Sequence, residues 1–324
     1  MQSTRSRRTL AKFTPWYLGT NLVYCFLVIL WGALVRATGS GAGCGASWPL
    51  CHGEFIPPAA VSTMIEFTHR AMSGLLLVTI LGGVFLSFRC FQKHHPCRAW
   101  SLLCLLFVMI EAGIGAMLVL LELVGENPSA IRAYVMGAHL INTFLLLATQ
   151  WIHFISVVRI APGIGQLGKA VVKKPVFVSC VCLLLLVSAS GAMVALGDTL
   201  FPVDSLAEGF WQAHMPQAHF LVKLRKVHPF LAIATSLILV IYVKNILTHS
   251  QPVALFLKRL AVSLVIATIG QLLFGVLNWI LLVPLWSQLV HLALALILWL
   301  LLVAIGIEDM MSAPSKNPQM TKGS

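Results

Sequence analysis

Apolar stretches recur eight times along the chain, at residues 17–36, 67–88, 99–121, 133–157, 175–197, 221–243, 259–281 and 285–307. A helix needs roughly 20 such residues to cross the hydrocarbon core of a bilayer, so each run predicts one spanning helix. The seventh and eighth are parted only by a tight turn at Pro284. The basic start, with Arg5, Arg7, Arg8 and Lys12, leads directly into the first run. That run is longer than a secretory signal core and lacks a small-residue cleavage site, so the first helix is expected to remain in the membrane.

Charges sit in the short gaps between the runs. With the N-terminus on the cytoplasmic side, one face collects Arg5, Arg7, Arg8, Lys12, Arg89, Lys93, Arg98, Arg159, Lys169, Lys173, Lys174, Lys244, Lys258, Arg259, Lys316 and Lys322. The other face keeps Arg36, Arg70, Arg132, Lys223, Arg225 and Lys226. This bias sets both termini in the cytoplasm by the positive-inside rule. The expected location is the cell (cytoplasmic) membrane.

The two halves of the chain echo each other. The first run ends in Trp31-Gly32-Ala33-Leu34-Val35 and the fifth in Ser190-Gly191-Ala192-Met193-Val194. Each half then carries a histidine in its second helix (His69, His228) and another in its fourth (His139, His291). Four helices per repeat is an even number, so both halves run the same way through the membrane, related by an axis along its normal. The expected fold is an all-α membrane protein of eight transmembrane helices. They form two tandem four-helix bundles, residues 1–160 and 161–324, related by a pseudo-two-fold.

Composition agrees. Hydrophobic residues make up 59% of the 324 positions and charged residues 10%, with a mean hydropathy of +0.91. Soluble domains carry roughly 25% charged residues, so this chain lacks the polar surface to face water. The net charge of +12 does not indicate nucleic acid, because the basic residues are scattered among membrane-flanking loops.

Candidate chemistry lies in His69, His139, His228 and His291, all at the outer ends of apolar runs. His139 follows Arg132 by seven residues, about 10 Å deeper along a helix. Buried ionisable groups in a bilayer are costly, which makes them functional candidates. The plain alternative for any one of them is an interhelical hydrogen bond. Two per bundle at one membrane level suits haem iron, which takes axial imidazoles from opposite sides of its plane. Copper or zinc sites usually add Cys, Asp, Glu or a third His. Arg36, Arg70 and Arg132 lie on the same side, available to haem propionates. Glu66, three residues before His69, shares its helix face. It reads either as a carboxylate beside the haem or as an interfacial acid favoured by the helix dipole. Glu111, within the third run, reads as a proton relay or as a packed acid. Cys44 and Cys51 fall in the first outer loop among five glycines (39–53), where oxidation is open to them as a staple or as a redox pair.

That loop carries a resemblance. The Gly-Ala-Leu-Val end of the first helix, Thr38-Gly39-Ser40-Gly41, the cysteines bracketing Ser47-Trp48-Pro49-Leu50, and Glu66 with His69-Arg70 resemble the haem A synthase family. The similarity runs from about residue 15 to residue 308. It implies eight helices in two halves and oxidation of the C8 methyl of haem O to a formyl group, giving haem A for cytochrome oxidase. It implies that His69 and His139 serve the substrate haem with Glu66, that His228 and His291 ligate a haem b, and that Cys44 and Cys51 form a disulfide. Arg36 and Arg70 are expected to bind cofactor. Expected partners are haem O, handed over by a haem O synthase, an electron donor and membrane lipid; a homo-oligomer is compatible with all of these.

Two departures stand out. The third outer loop, about residues 198–219, has no second cysteine pair. Pro229 follows His228, which predicts that His228 sits in a first helical turn, with His219 as the fallback ligand. Two other readings remain at this stage: a b-type cytochrome passing electrons from a quinol, and a repeat-built solute carrier.

Overall fold

The computed structural model describes residues 2–159, 161–249 and 254–311. Lys316 and Lys322, and the side chains of Arg5, Arg7 and Arg8, lie outside the described residues. The helices are α1 (Gln2–Ala37), α2 (Val61–Cys90), α3 (Pro96–Leu120), α4 (Ala130–Val158), α5 (Ile164–Val171), α6 (Pro175–Leu200), α7 (Leu206–His214), α8 (Phe220–His249), α9 (Leu255–Ile280) and α10 (Leu285–Met311). Eight of them, all but α5 and α7, are long and apolar enough to cross a membrane. They coincide with the eight apolar runs.

Packing follows the sequence order. Helices α1, α2, α3 and α4 close one ring of neighbours, and α6, α8, α9 and α10 close another. The rings touch through α1 and α4 on one side and α6 and α10 on the other. Burial tracks this placement: 67% of the α4 span and 50% of the α10 span are buried, against 17% for α3 and for α9. Outward faces remain apolar, with Leu102, Leu106, Ile266 and Leu273 all exposed, as a lipid-facing surface requires. At the centre, Trp299 Nε1 of α10 donates 2.7 Å to the Phe144 carbonyl of α4, and the two rings pack 5.6 Å apart. That carbonyl gains a partner from across the ring contact, and the indole avoids an unmade bond in a water-free interior.

The face holding the N-terminus also holds the end of α10. Arg159 pairs with Glu308, and Lys174 Nζ lies 2.9 Å from Asp309 Oδ1. The opposite face carries the Cys44–Cys51 loop; these are called below the terminal face and the disulfide face.

Three features differ from the expectation. Helix α5 fills the connection between the rings, its start held by Gln166 Oε1 accepting from the Gly163 amide at 3.1 Å. Helix α7 occupies the connection between α6 and α8, where Ser205 Oγ accepts from the Glu208 amide and Glu208 Oε2 accepts from the Asp204 amide, a reciprocal cap. Lastly, α8 begins at Phe220, so Pro229 lies well inside it and His228 is not in the first turn. Membrane helices accommodate an internal proline because neighbouring groups satisfy the freed carbonyl. His219 instead borders the helix start, where its Nδ1 accepts from the Leu221 amide at 3.4 Å and its ring packs tilted against Phe201 at 5.0 Å. It acts as a cap.

Candidate functional site

Each of three histidines presses against a glycine of the neighbouring helix. A Cβ on Gly32 would lie 2.9 Å from His69 Cε1, one on Gly191 would lie 3.1 Å from His228 Cε1, and one on Gly275 would lie 3.2 Å from His291 Cε1. Gly32 and Gly191 are the repeated glycines of α1 and α6, and both pairs are offset by the same 159 positions. A missing side chain therefore makes room for each imidazole at the same place in each half. His69 lies within electrostatic reach of His139, and His291 within reach of His228. Gly32→Ala is expected to push His69 aside and Gly191→Ala to press less severely on His228. Histidine ring resonances in NMR spectra of the two variants check this, with each substitution shifting one ring and leaving the other.

Polar neighbours fix the rings differently in the two halves. His139 Nδ1 stands 3.2 Å from Glu111 Oε1, and Glu111 also accepts from Asn142 Nδ2 and Thr143 Oγ1. In the second half, Gln271 takes the place of Glu111, with its Nε2 3.3 Å from His291 Nε2. Gly115 and Gly275 follow four residues later in both helices. His228 Nδ1 contacts Ser190 Oγ at 2.8 Å. The Ser190 hydroxyl at Nδ1 leaves Nε2 as the free ring nitrogen of His228.

The disulfide loop is folded onto α2. Cys44 and Cys51 are bonded, with S–S 2.02 Å. Gly43 lies so close to α2 that a Cβ would sit 2.6 Å from the Ser62 carbonyl, and Thr63 Oγ1 donates 2.7 Å to the Gly43 oxygen. Glu66 is 3% exposed and both its oxygens are engaged: Oε2 accepts from the Cys44 amide at 2.8 Å, and Oε1 accepts from Arg70 Nη2 at 2.6 Å. The same guanidinium donates through Nη1 to the Ser47 and Leu50 carbonyls at 2.6 and 2.8 Å. Glu66 and Arg70 thus appear in the structure as the anchor of this loop, which is where their charges are spent.

The loop between α6 and α8 is held by an arginine. Arg225 Nε donates 2.7 Å to Asp198 Oδ1, and its Nη2 donates to the Phe201 carbonyl. Arg225 stands one turn before the position that Arg70 occupies in the first half, where Pro229 now falls. Arg225→Ala is expected to release α7, with faster proteolysis between residues 201 and 219 and a stability loss of about 3 kcal/mol. Limited proteolysis and thermal unfolding measure both. Arg36 crosses between the rings: Nη1 donates to the Ala195 carbonyl at 2.7 Å and Thr199 Oγ1 at 3.0 Å, and Nη2 to Gln288 Oε1 at 2.7 Å. Arg132 holds the α3–α4 turn through the Gly125 and Asn127 carbonyls.

One ionisable residue escaped the histidine reading because that reading looked only at the outer ends. His153, toward the terminal face of α4, is 4% exposed and contacts Ser87 Oγ at 2.7 Å. Its presence in an apolar run was the available signal.

The residues present fit haem. Nδ1 of His69 and of His291 is buried without a hydrogen-bond partner, and glycines line the rings' edges. Among the described residues no three His, Cys, Asp or Glu side chains converge as a metal cage, so paired imidazoles are the donor sets on offer.

Residues 15–303 match the COX15-CtaA family, described as cytochrome oxidase assembly protein. Over 290 residues, 87% of this chain, the sequence is 44% identical to a Thermus thermophilus protein named "Protoheme IX farnesyltransferase", of which the alignment covers 46%. A second strain of that organism has a protein of the same name with the same identity and coverage. A "Heme A synthase" of Bacillus cereus is 37% identical over 134 residues, 40% of this chain and 41% of that protein. The chain spans about half the length of the curated relatives it matches. The fold of eight spanning helices and the family match across nearly all of it make this chain a member of the COX15-CtaA family of cytochrome oxidase assembly proteins.

Proposed function

We propose that this protein is a haem A synthase, oxidising the C8 methyl of haem O to a formyl group. The observation that carries the reading is the duplicated histidine pair, two half-buried imidazoles per half with three of the four set against glycines, in a chain of this family. His69 and His139 would hold the substrate haem in the first bundle, residues 1–160. His228 and His291 would hold a haem b in the second, residues 161–324. Haem b, when bound, supplies one-electron transfer; the residues around it position and insulate it.

Several observations support roles for the surrounding groups. Glu66 and Arg70 keep the Cys44–Cys51 loop seated over the outer end of α2, next to His69, and so restrict water there. Converting a methyl to a formyl group removes electrons and protons and adds one oxygen atom, so a polar partner such as Glu111 beside His139 suits the first bundle. The neutral Gln271 suits a site that only passes electrons. Arg36, joining α1 to α6 and α10, ties the two bundles at the level of the histidines.

The name of the Thermus relatives fits the same reading. A farnesyltransferase acting on protohaem makes a farnesylated haem, and this chain resembles only about half of those proteins. We assign farnesylation to the part without a counterpart here, and oxidation of its product to the part that matches. A membrane location with both termini cytoplasmic and the histidines toward the outer side follows from the charge bias.

The test is a haem extraction. Purified protein should carry haem with a low-spin bis-histidine spectrum and a pyridine haemochrome of b type. A host lacking its own enzyme should gain haem A on expression. Haem bound with no change in the ratio of haem O to haem A would instead show a b-type cytochrome. No Soret band would show a solute carrier.

A further inference from the structure

At six buried positions the first bundle carries a polar side chain or thiol where the second is nearly all hydrocarbon, and the second bundle's own buried Thr235 and Thr268 are closed on carbonyls one turn back. Between the histidine level and the terminal face, the first bundle buries Asn21, Cys25, Ser87, Cys104, Gln150 and His153. The positions related by the repeat offsets are Cys180, Leu184, Ile246, Leu264, Leu302 and Ile305, all buried and all but one hydrocarbon. Burying polar groups in a bilayer protein costs free energy unless they are paired. Two of the pairs are closed: Ser87 Oγ with His153 Nε2 at 2.7 Å, and Thr79 Oγ1 donating to Asn21 Oδ1 at 2.8 Å. Those alone would be interhelical glue.

Gln150 is different. It is 5% exposed, and neither its amide nitrogen nor its amide oxygen has a nitrogen or oxygen partner, the Cys25 thiol being the polar group beside it. It borders a cavity with about 10 Å³ for the centre of a water molecule, which Asn21, Cys104 and His153 also line. That is just room for one water, and the polar walls offer it partners. On the other side of Gln150 lies the Cys25 thiol, itself within electrostatic reach of Glu111. At the lower end, the Cys97 thiol adjoins Ser87 at the start of α3. Polar groups therefore follow one another from the terminal face to the underside of the Glu111, Asn142 and Thr143 network.

We propose that a water-bearing polar seam runs through the first bundle, from Ser87 and His153 past Gln150 to Cys25, and carries protons between the terminal face and the His69–His139 site. The assignment of a reaction to that site rests on the reading above; the seam itself rests on Gln150, the cavity and the contrast between the halves. It would connect a proton-releasing oxidation near the outer surface to the opposite aqueous phase. The second bundle, which needs electrons alone, has lost or never had it.

Deuteration of buried thiols tests this in the full-length protein held in lipid nanodiscs, without any haem turnover. After transfer to D2O, the S–H stretching bands of Cys25 and Cys104 are followed by infrared spectroscopy and assigned with Cys25→Ala and Cys104→Ala. Cys180, equally buried in the second bundle, is the internal control. Cys25 and Cys104 are expected to exchange about tenfold or more faster than Cys180, because a resident water gives them a route that local opening must otherwise supply. Gln150→Leu with His153→Ile, copying the second bundle, should bring both down to the Cys180 rate. Cys25 and Cys104 exchanging no faster than Cys180 in the native protein would overturn the seam. So would unchanged exchange in the double variant. Should that variant fail to fold, the native comparison decides alone. Slow thiols in a protein that makes haem A reject the seam and leave the haem A synthase reading standing; fast thiols without haem A do the reverse.

Discussion

His69→Ala is expected to lower haem A formation by about 100-fold or more, with haem O accumulating in the host membrane while the b-type haem of the second bundle stays bound. Residues that merely orient a metal ligand are worth about 10- to 100-fold, so losing the ligand itself sets the lower bound at the top of that range. The structure separates the two halves well enough for a clean result. His69 has its own glycine, Gly32, and its own partner, His139, while Gly191 and His291 serve His228. His228→Ala should show the opposite spectral pattern, losing the low-spin b-type signal first. Because electrons reach the first bundle through the second in the proposed arrangement, His228→Ala should also stop haem A formation. Haem analysis of membranes from the two variants, read side by side, tests the division of labour. Undiminished haem A in His69→Ala would remove the first bundle from the chemistry altogether.

The spanning helices were legible because a bilayer imposes one simple demand on composition and length, and all eight apolar runs became helices. The smaller elements were hidden for the same reason. Helix α5 is eight residues long and α7 nine, and neither is apolar throughout, so hydropathy passes over them. Pro229 misled because proline usually marks a helix start, yet α8 extends nine residues before it. The loss of one backbone bond inside a packed membrane helix is small beside the packing of 30 residues. At the site, ionisable residues drew the eye and neutral ones did not. Glu111 was visible; its counterpart Gln271 and the Ser190 contact to His228 were found only when the helices came together. Arg70 and Arg36 show the converse limit. Their charge was readable, but the carbonyls and carboxylate that occupy them come from residues up to 252 positions away.

Glu66→Ala is expected to cost about 3–5 kcal/mol locally, because it strands the Arg70 guanidinium and the Cys44 amide in a site with little access to water. The consequence should be a loop that stays covalently closed by Cys44–Cys51 but lifts off α2. Protease cleavage and amide exchange across residues 43–55 would report this directly. Arg70→Ala should do the same, since its Nη1 also holds the Ser47 and Leu50 carbonyls. The double variant is the decisive measurement. Two groups that act as one clamp are strongly coupled, so the pair should lose hardly more than either alone. Haem A formation should fall in parallel with loop release in all three proteins, as expected if the seated loop keeps water from the histidine site. A Glu66→Ala protein with a fully protected loop and no haem A formation would show instead that the carboxylate takes part in the oxidation itself, and that its contacts in the resting structure are broken when substrate arrives.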